Sequence, residues 1–524
     1  MLRRIALSLV SLVSLVACGC DQRPVPEGPL PSELAAQMAE RRANPPVDPP
    51  VVTEVPPATR DGEDWPVFLG PRRDGTVDMA AEQPLDLDWS DQPPPVAWTR
   101  SLGAGYTAPS VLGNRCVLFH RELDDEVVEC VRADTGQTLW VVRRPSAFVD
   151  PYGYSNGPRC APLLHDPSEQ DGEPDGEPDG ERGGDGDDNP FCITFGAEGR
   201  LMRTDLVTGA VGWTVETAER FEVPRHFFGV GCTPVIDRVG DRLLVFALVG
   251  GQPESGVVAF DATDGAVVWE SVGKSTWDGA ERPKRRGREQ PAYEWTGSEM
   301  LVSYSSPMLA TINGQRHLLC LMRQGLVSLD PADGRVRFSY WFRSPIHESV
   351  NAARPVVVDD TILITAPYDT GCHRLRVADD GESVERLWTT NDEFDLHFCT
   401  PIHHDGHYYG FHGRNEGGAE LRCIDAETGE LKWANAGADR GTVPGPDEPY
   451  PFFGRGSAIL AGETLVLLGE RGTLATAKAT PAGYEEISRI AAEGMGYPSW
   501  PAPVVSRGRL FLRDNDTVTA YDLR

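Results

Sequence analysis

From about residue 96 to the end, short apolar runs alternate with turns rich in Asp, Gly and Asn. Cys116-Val117-Leu118-Phe119, Leu243-Leu244-Val245-Phe246 and Leu465-Val466-Leu467-Leu468 are typical runs, each too brief for a helix and bounded by turn residues. Such runs predict strands joined by tight hairpins. The pattern predicts no long amphipathic helix in this region.

Two phrases recur along these strands. The first is a strand followed by Asp, three residues, Gly, three residues and Trp: Asp205-Gly209-Trp213, Asp261-Gly265-Trp269 and Asp425-Gly429-Trp433. Variants are Asp330-Gly334-Phe338 and Arg132-Gly136-Trp140, with weaker copies at Gly381 to Trp388 and around Gly483. Asp suits the capping position of a hairpin turn, Gly the positive-φ position, and the Trp is expected to pack between neighbouring sheets. The second phrase is a small or polar residue, a proline and an apolar strand. It begins at Pro109, Pro162, Pro234, Pro307, Pro355, Pro401, Ala458 (alanine replacing proline) and Pro503. These eight copies recur about every 56 residues, and each unit holds about four strands that could not bury their own faces. The expected fold is therefore all-β, an eight-bladed β-propeller of four-stranded blades. The last unit stops at Val518-Thr519-Ala520-Tyr521-Asp522 without its Trp strand, while Val96-Ala97-Trp98-Thr99 lies ahead of the first complete unit. The N-terminal strand around Trp98 is expected to complete the last blade and close the ring. Deleting 90–102 should then cost more stability than deleting 21–60.

The N-terminus reads as an address. Residues 1–17 have a basic start at Arg3 and Arg4 and an apolar stretch from Ile5 to Ala17, the pattern of an export signal peptide. Leu15-Val16-Ala17-Cys18 resembles a lipoprotein processing box, which implies acylation of Cys18. With Gly19 next, that implies a periplasm-facing protein anchored in the outer membrane, the inner membrane being the alternative. Residues 18–64 read as a lipidated, Pro-rich linker, 21–64 holding 10 prolines, and 65–524 as the propeller. The net charge of −30 over 524 residues argues against a nucleic-acid partner.

Two insertions interrupt the repeat. Residues 165–190 carry 11 acidic residues against Arg182 alone and read as a solvated loop. Residues 271–299 hold Arg282, Lys284, Arg285, Arg286 and Arg288 and also read as an exposed loop. Of the 11 cysteines, those after the signal read either as buried free thiols or as one or two disulfides, Cys160 with Cys232 for example. No catalytic or metal-binding spacing is present, so no metal and no cofactor are expected and the chain reads as a non-enzyme. His403, His404 and His407 fall at an Asp405-Gly406 turn rather than in a metal motif.

In a propeller, the segments ahead of the eight inner strands converge at one end of the channel. They contain Tyr106, Asn156, Arg159, Phe228, Tyr304, Asn351, Arg354, His397, Arg455 and Trp500, candidates to bind a polar ligand or a partner loop.

The Asp-x-x-x-Gly-x-x-x-Trp phrase resembles the pyrroloquinoline-quinone-type propeller repeat from about Trp65 to the end. Trp65-Pro66-Val67-Phe68-Leu69-Gly70-Pro71 through Asp74-Gly75 is similar to the start of such proteins common in Planctomycetes-type bacteria. Two functions are implied by the resemblance. One is the outer-membrane assembly lipoprotein, a cofactor-free scaffold that binds envelope proteins. The other is the quinone-dependent dehydrogenase, which implies quinone and calcium at the channel above a pair of adjacent cysteines. This chain has no adjacent cysteines, and Glu348, Asp395 and Asn351 are its nearest candidates for such a ligand set. The scaffold is favoured. A propeller that binds a small polar ligand or glycan is the third reading.

Overall fold

The computed structural model describes residues 46–524 except 80–83, 169–188, 225–227, 285–286, 298, 345, 347–348, 436–443 and 446–447, and also residues 36, 37, 40 and 43. The export signal, Cys18, most of the acidic insertion and Glu348 lie outside the described residues.

Eight antiparallel sheets follow one another along the chain. The first blade is Ser110–Leu112, Arg115–Glu122, Asp125–Arg132 and Thr138–Pro145, and every later blade repeats this inner-to-outer order. The eighth pairs Val504–Ser506, Arg509–Arg513 and Thr517–Asp522 with Val96–Ser101. The N-terminal strand thus completes the last blade, as its missing Trp strand suggested, and Trp98 lies opposite Ala520.

The repeated Trp and Gly act across the blade seams. Trp140, on the outer strand of blade 1, donates its indole N–H to the Leu206 carbonyl in the turn of blade 2 at 3.0 Å. Its ring lies on Gly209, where a Cβ would come within 2.9 Å of the indole and where φ is +75°. The same indole bond runs from Trp98 to Ala133, Trp213 to Ala262, Trp269 to Pro331, Trp388 to Ala426 and Trp433 to Thr480. Where the repeat carries its Asp, that side chain preforms the turn: Asp205 Oδ1 accepts the N–H groups of Val207 and Thr208 and the Thr208 hydroxyl. The Trp of one repeat therefore reads the turn of the next, which is why a single unit cannot stand alone. Blade 7 lacks a Trp at this position. There the segment around Trp89 fills in, with Asp86 N–H on the Leu523 carbonyl and Thr476 Oγ1 on the Leu87 carbonyl.

The small polar residues of the second phrase have a related task at the axis. Ser110 Oγ donates to Pro162 O at 2.6 Å, Ala161 N–H to Thr233 Oγ1, Thr233 N–H to Ser306 Oγ and Arg354 N–H to Thr400 Oγ1. Ser457 Oγ continues the ring onto Trp500 O. Inner strands cannot pair across a seam, so these hydroxyls satisfy backbone groups that would otherwise be stranded.

The N-terminal segment does more than close the ring. Residues 65–77 plug the channel: Trp65 bridges to Val111, and Pro66 O accepts Leu164 N–H. Arg73 donates to Ile236 O, and Thr76–Val77 pairs in parallel with Leu460 and Ala461 of blade 7. That blade therefore has five strands. Upstream, the end of the Pro-rich segment is pinned rather than free. Val52 N–H bonds Leu139 O, Asn114 holds Pro56 O, and Arg60 pairs with Asp522.

The insertion at 271–299 is only partly a loop. Its Lys274–Trp277 turn of helix buries Trp277, and Trp277 and Tyr293 pack on Trp341 of blade 4. Lys284 pairs with Glu289 at its exposed end. The nine described cysteines are buried and form no disulfide with one another, and the Cys160 thiol donates to the Cys232 carbonyl at 3.3 Å. The His403–His407 run lies at the hairpin between Ile402–His404 and His407–His412.

Candidate functional site

Inner strands run away from their leading loops, and the second strand of each blade returns to the same end. Leading loops and the turns after second strands therefore share one face. At its centre is a funnel of about 420 Å³ whose inner end is formed by Phe68 and Leu69 of the plug.

Seven of the ten candidate residues line it: Tyr106, Arg159, Phe228, Tyr304, His397, Arg455 and Trp500. Trp500 lies edge-on to Tyr106, with centroids 4.9 Å apart, and its indole N–H is held by Glu470 Oε2 at 3.0 Å. Glu470 is fully buried and organises this wall. It also takes Arg455 Nε at 2.9 Å and Arg455 N–H at 3.0 Å, leaving the guanidinium 5.0 Å over the Trp500 ring. Over the Tyr106 ring, 5.9 Å from its centroid, Arg159 donates to Asp150 Oδ2 at 2.7 Å and to the carbonyls of Ser155 and Gly157. Tyr106 donates its hydroxyl to Tyr154 O at 2.7 Å, and Tyr304 accepts Phe228 N–H at 3.0 Å. Burial pushes both phenols well above their ordinary range, so they stay neutral. Burial, reinforced by Arg455 and Arg414, holds His397 down at about 3, a neutral imidazole whose Nε2 meets the Tyr368 hydroxyl at 3.0 Å.

The other three candidates are not brought into the lining. Asn156 accepts Asp150 N–H at 2.8 Å and so shapes the loop that carries Tyr152 and Tyr154. Asn351 donates to Met322 O at 2.8 Å, and its own carbonyl takes Tyr304 N–H. Arg354 is buried beneath the funnel, where its guanidinium binds Pro307 O and the plug carbonyls of Phe68 and Arg73. Burial lowers it to about 9.

Sequence reading missed Tyr152, Tyr154, Tyr368, Phe398, Arg414 and Tyr497, all on the funnel wall. Tyr368 and Arg414 belong to turns after second strands, and strand alternation alone would have brought those turns to this face. The aromatic contacts are nearly continuous: Tyr152 to Phe228, Phe228 to Tyr154, Tyr154 to Trp500, and Trp500 to Phe398.

The wall does not suit a calcium-bound quinone. Its carboxylates are already committed, Glu470 to Arg455 and Glu416 to Arg471. Among the described residues no three His, Cys, Asp or Glu side chains gather as a metal site. Asn351 is spent on backbone carbonyls, and Asp395 lies behind the lining with burial raising it to about 7.

No curated protein matches the sequence. Among solved structures, BamB from Moraxella catarrhalis aligns with 82% of this chain and 99% of its own at 14% identity and a TM-score of 0.47. Quinohemoprotein alcohol dehydrogenase from Comamonas testosteroni aligns over 88% and 80% at 13% identity and 0.43. A europium-containing methanol dehydrogenase aligns over 88% and 89% at 12% identity and 0.41. The family model described as outer membrane protein assembly factor BamB matches residues 124–435, more than half of the chain, and the protein belongs to that family.

Proposed function

We propose that this protein is an envelope lipoprotein whose propeller is a non-catalytic scaffold that binds a protein partner on its funnel face. The observation that carries the reading is the funnel wall itself: a belt of aromatic side chains whose charges are paired within the wall, over a floor made by the chain's own plug. Such a surface offers contact area and shape, the properties of a binding hot spot, and keeps its acids and bases out of reach of chemistry. Membership of the family described as an outer membrane assembly factor agrees with it.

Acylated Cys18 would anchor the chain, facing the periplasm from the outer membrane, with the inner membrane as the alternative. Among the described residues no helix is long and apolar enough to cross a membrane. The dehydrogenase reading is disfavoured by the absence of adjacent cysteines and by the committed carboxylates. The test is retention of envelope β-barrel proteins on the immobilised propeller, run beside quinone binding with redox-dye reduction. Retention without dye reduction supports the scaffold; dye reduction on adding quinone refutes it.

A further inference from the structure

Resting on the reading of a protein partner, we propose that the funnel receives a loop tip or chain end of that partner whose inserted side chains are uncharged and apolar or aromatic. Three features define this occupant.

The first is charge. Arg159 is matched by Asp150 at 2.7 Å, Arg455 by Glu470 at 2.8 Å and Glu416 by Arg471, while Arg414 lies over the Tyr368 ring at 4.3 Å. A carboxylate or ammonium entering the funnel would lose its water and would have to compete with these internal pairs for a counter-charge. A neutral side chain pays no such cost. The wall is therefore complementary to an uncharged guest, although the protein as a whole carries a net charge of −30.

The second is hydrogen bonding. The Trp500 indole is held by Glu470, the Tyr106 hydroxyl by Tyr154 O, and the Ser457 hydroxyl by Trp500 O. A sugar would need donors and acceptors for each of its hydroxyls; these donors are already engaged, and the unpartnered buried His397 Nδ1 on the lining could serve a single hydroxyl. The faces of the rings remain for contact, and they suit apolar and aromatic side chains.

The third is shape. Phe68 and Leu69 close the inner end, so a strand cannot thread through; whatever enters must end or turn back. About 420 Å³ holds a few side chains and no folded element. At the mouth, Val149 is 64% exposed and Tyr152 49% exposed, two large apolar side chains on one loop that carry the apolar surface outward to the body of a partner.

The test is calorimetric titration of the detergent-solubilised full-length protein. The probes are a capped peptide, acetyl-Gly-Ser-Phe-Leu-Ser-Gly-amide, its Asp-Asp and Lys-Lys versions at the central pair, maltotetraose and a carboxylated ortho-quinone. The apolar peptide is expected to bind at least tenfold more tightly than every other probe. Ala352→Glu, which places an unmatched carboxylate on the funnel wall, should abolish that binding, and Tyr152→Ser at the exposed rim should weaken it severalfold with the fold intact. Tighter binding of a charged peptide, the saccharide or the quinone overturns the inference, as does silence from all five. Retention of an envelope protein that survives both substitutions overturns it while sparing the protein-partner reading. No retention by the wild-type chain overturns that reading and the inference with it.

Discussion

Gly209→Ala is the sharpest perturbation of the seam mechanism. Gly209 has φ +75°, so alanine there costs about 1–2 kcal/mol in backbone strain alone. Its Cβ would also come within 2.9 Å of the Trp140 ring, which is 1% exposed and has no room to retreat. Moving the indole adds overpacking of about 1–3 kcal/mol. Weakening its bond to Leu206 O adds about 1 kcal/mol. Gly113 supplies the control: φ is +58°, and a Cβ added there would meet nothing within 4 Å. Gly113→Ala should thus cost about 1–2 kcal/mol and Gly209→Ala about 3–6 kcal/mol. Urea unfolding followed by tryptophan fluorescence measures both. Equal midpoints for the two variants would show that Trp140 does not rest on Gly209 in any way that matters to stability.

Three further outcomes follow from the geometry. Deleting 90–102 removes the outer strand of blade 8 and should lower the melting temperature far more than deleting 46–60, which removes no strand and loses the bonds of Val52 to Leu139 and Asn114 to Pro56 and the Arg60–Asp522 pair; equal losses would refute closure by this strand. Arg354→Met leaves the carbonyls of Pro307, Phe68 and Arg73 without their donor. It should cost about 3 kcal/mol or more and open residues 65–77 to limited proteolysis. Burial raises Asp395 from 3.8 to about 7, so the folded state holds this proton more tightly than the unfolded chain does. Its penalty is absent below about pH 4, grows as the pH rises and is complete above about pH 7. Asp395→Asn should therefore flatten the decline in stability between those limits, as read by denaturation at several pH values.

Much of the architecture was legible because the repeat is a physical necessity. A blade with two apolar faces needs neighbours, and the residues that hold the neighbours recur with it. Trp98 betrayed the closure because it is a Trp strand without a preceding unit, matched by a final unit without a Trp strand. The plug was not legible. Its only regular element is Thr76–Val77, and its work is done by backbone carbonyls and by Trp65, which no periodicity marks. At the funnel, position ahead of an inner strand was a sound guide to Tyr106, Arg159 and Trp500. It failed for Arg354, whose side chain turns inward to the plug, and for Asn351, whose amide serves the backbone. Tyr152 and Tyr154 went unnoticed because loop aromatics carry no pattern until the fold gathers them.

The most direct test of the account is a photo-crosslinking amino acid placed at Tyr152 on the funnel rim, with Asp359 at the opposite end of blade 5 as the control position. Irradiation of living cells should trap an envelope protein from position 152 and not from 359. A crosslink confined to 359, or none from 152 in protein shown to be folded and membrane-associated, would contradict a partner seated on the funnel face.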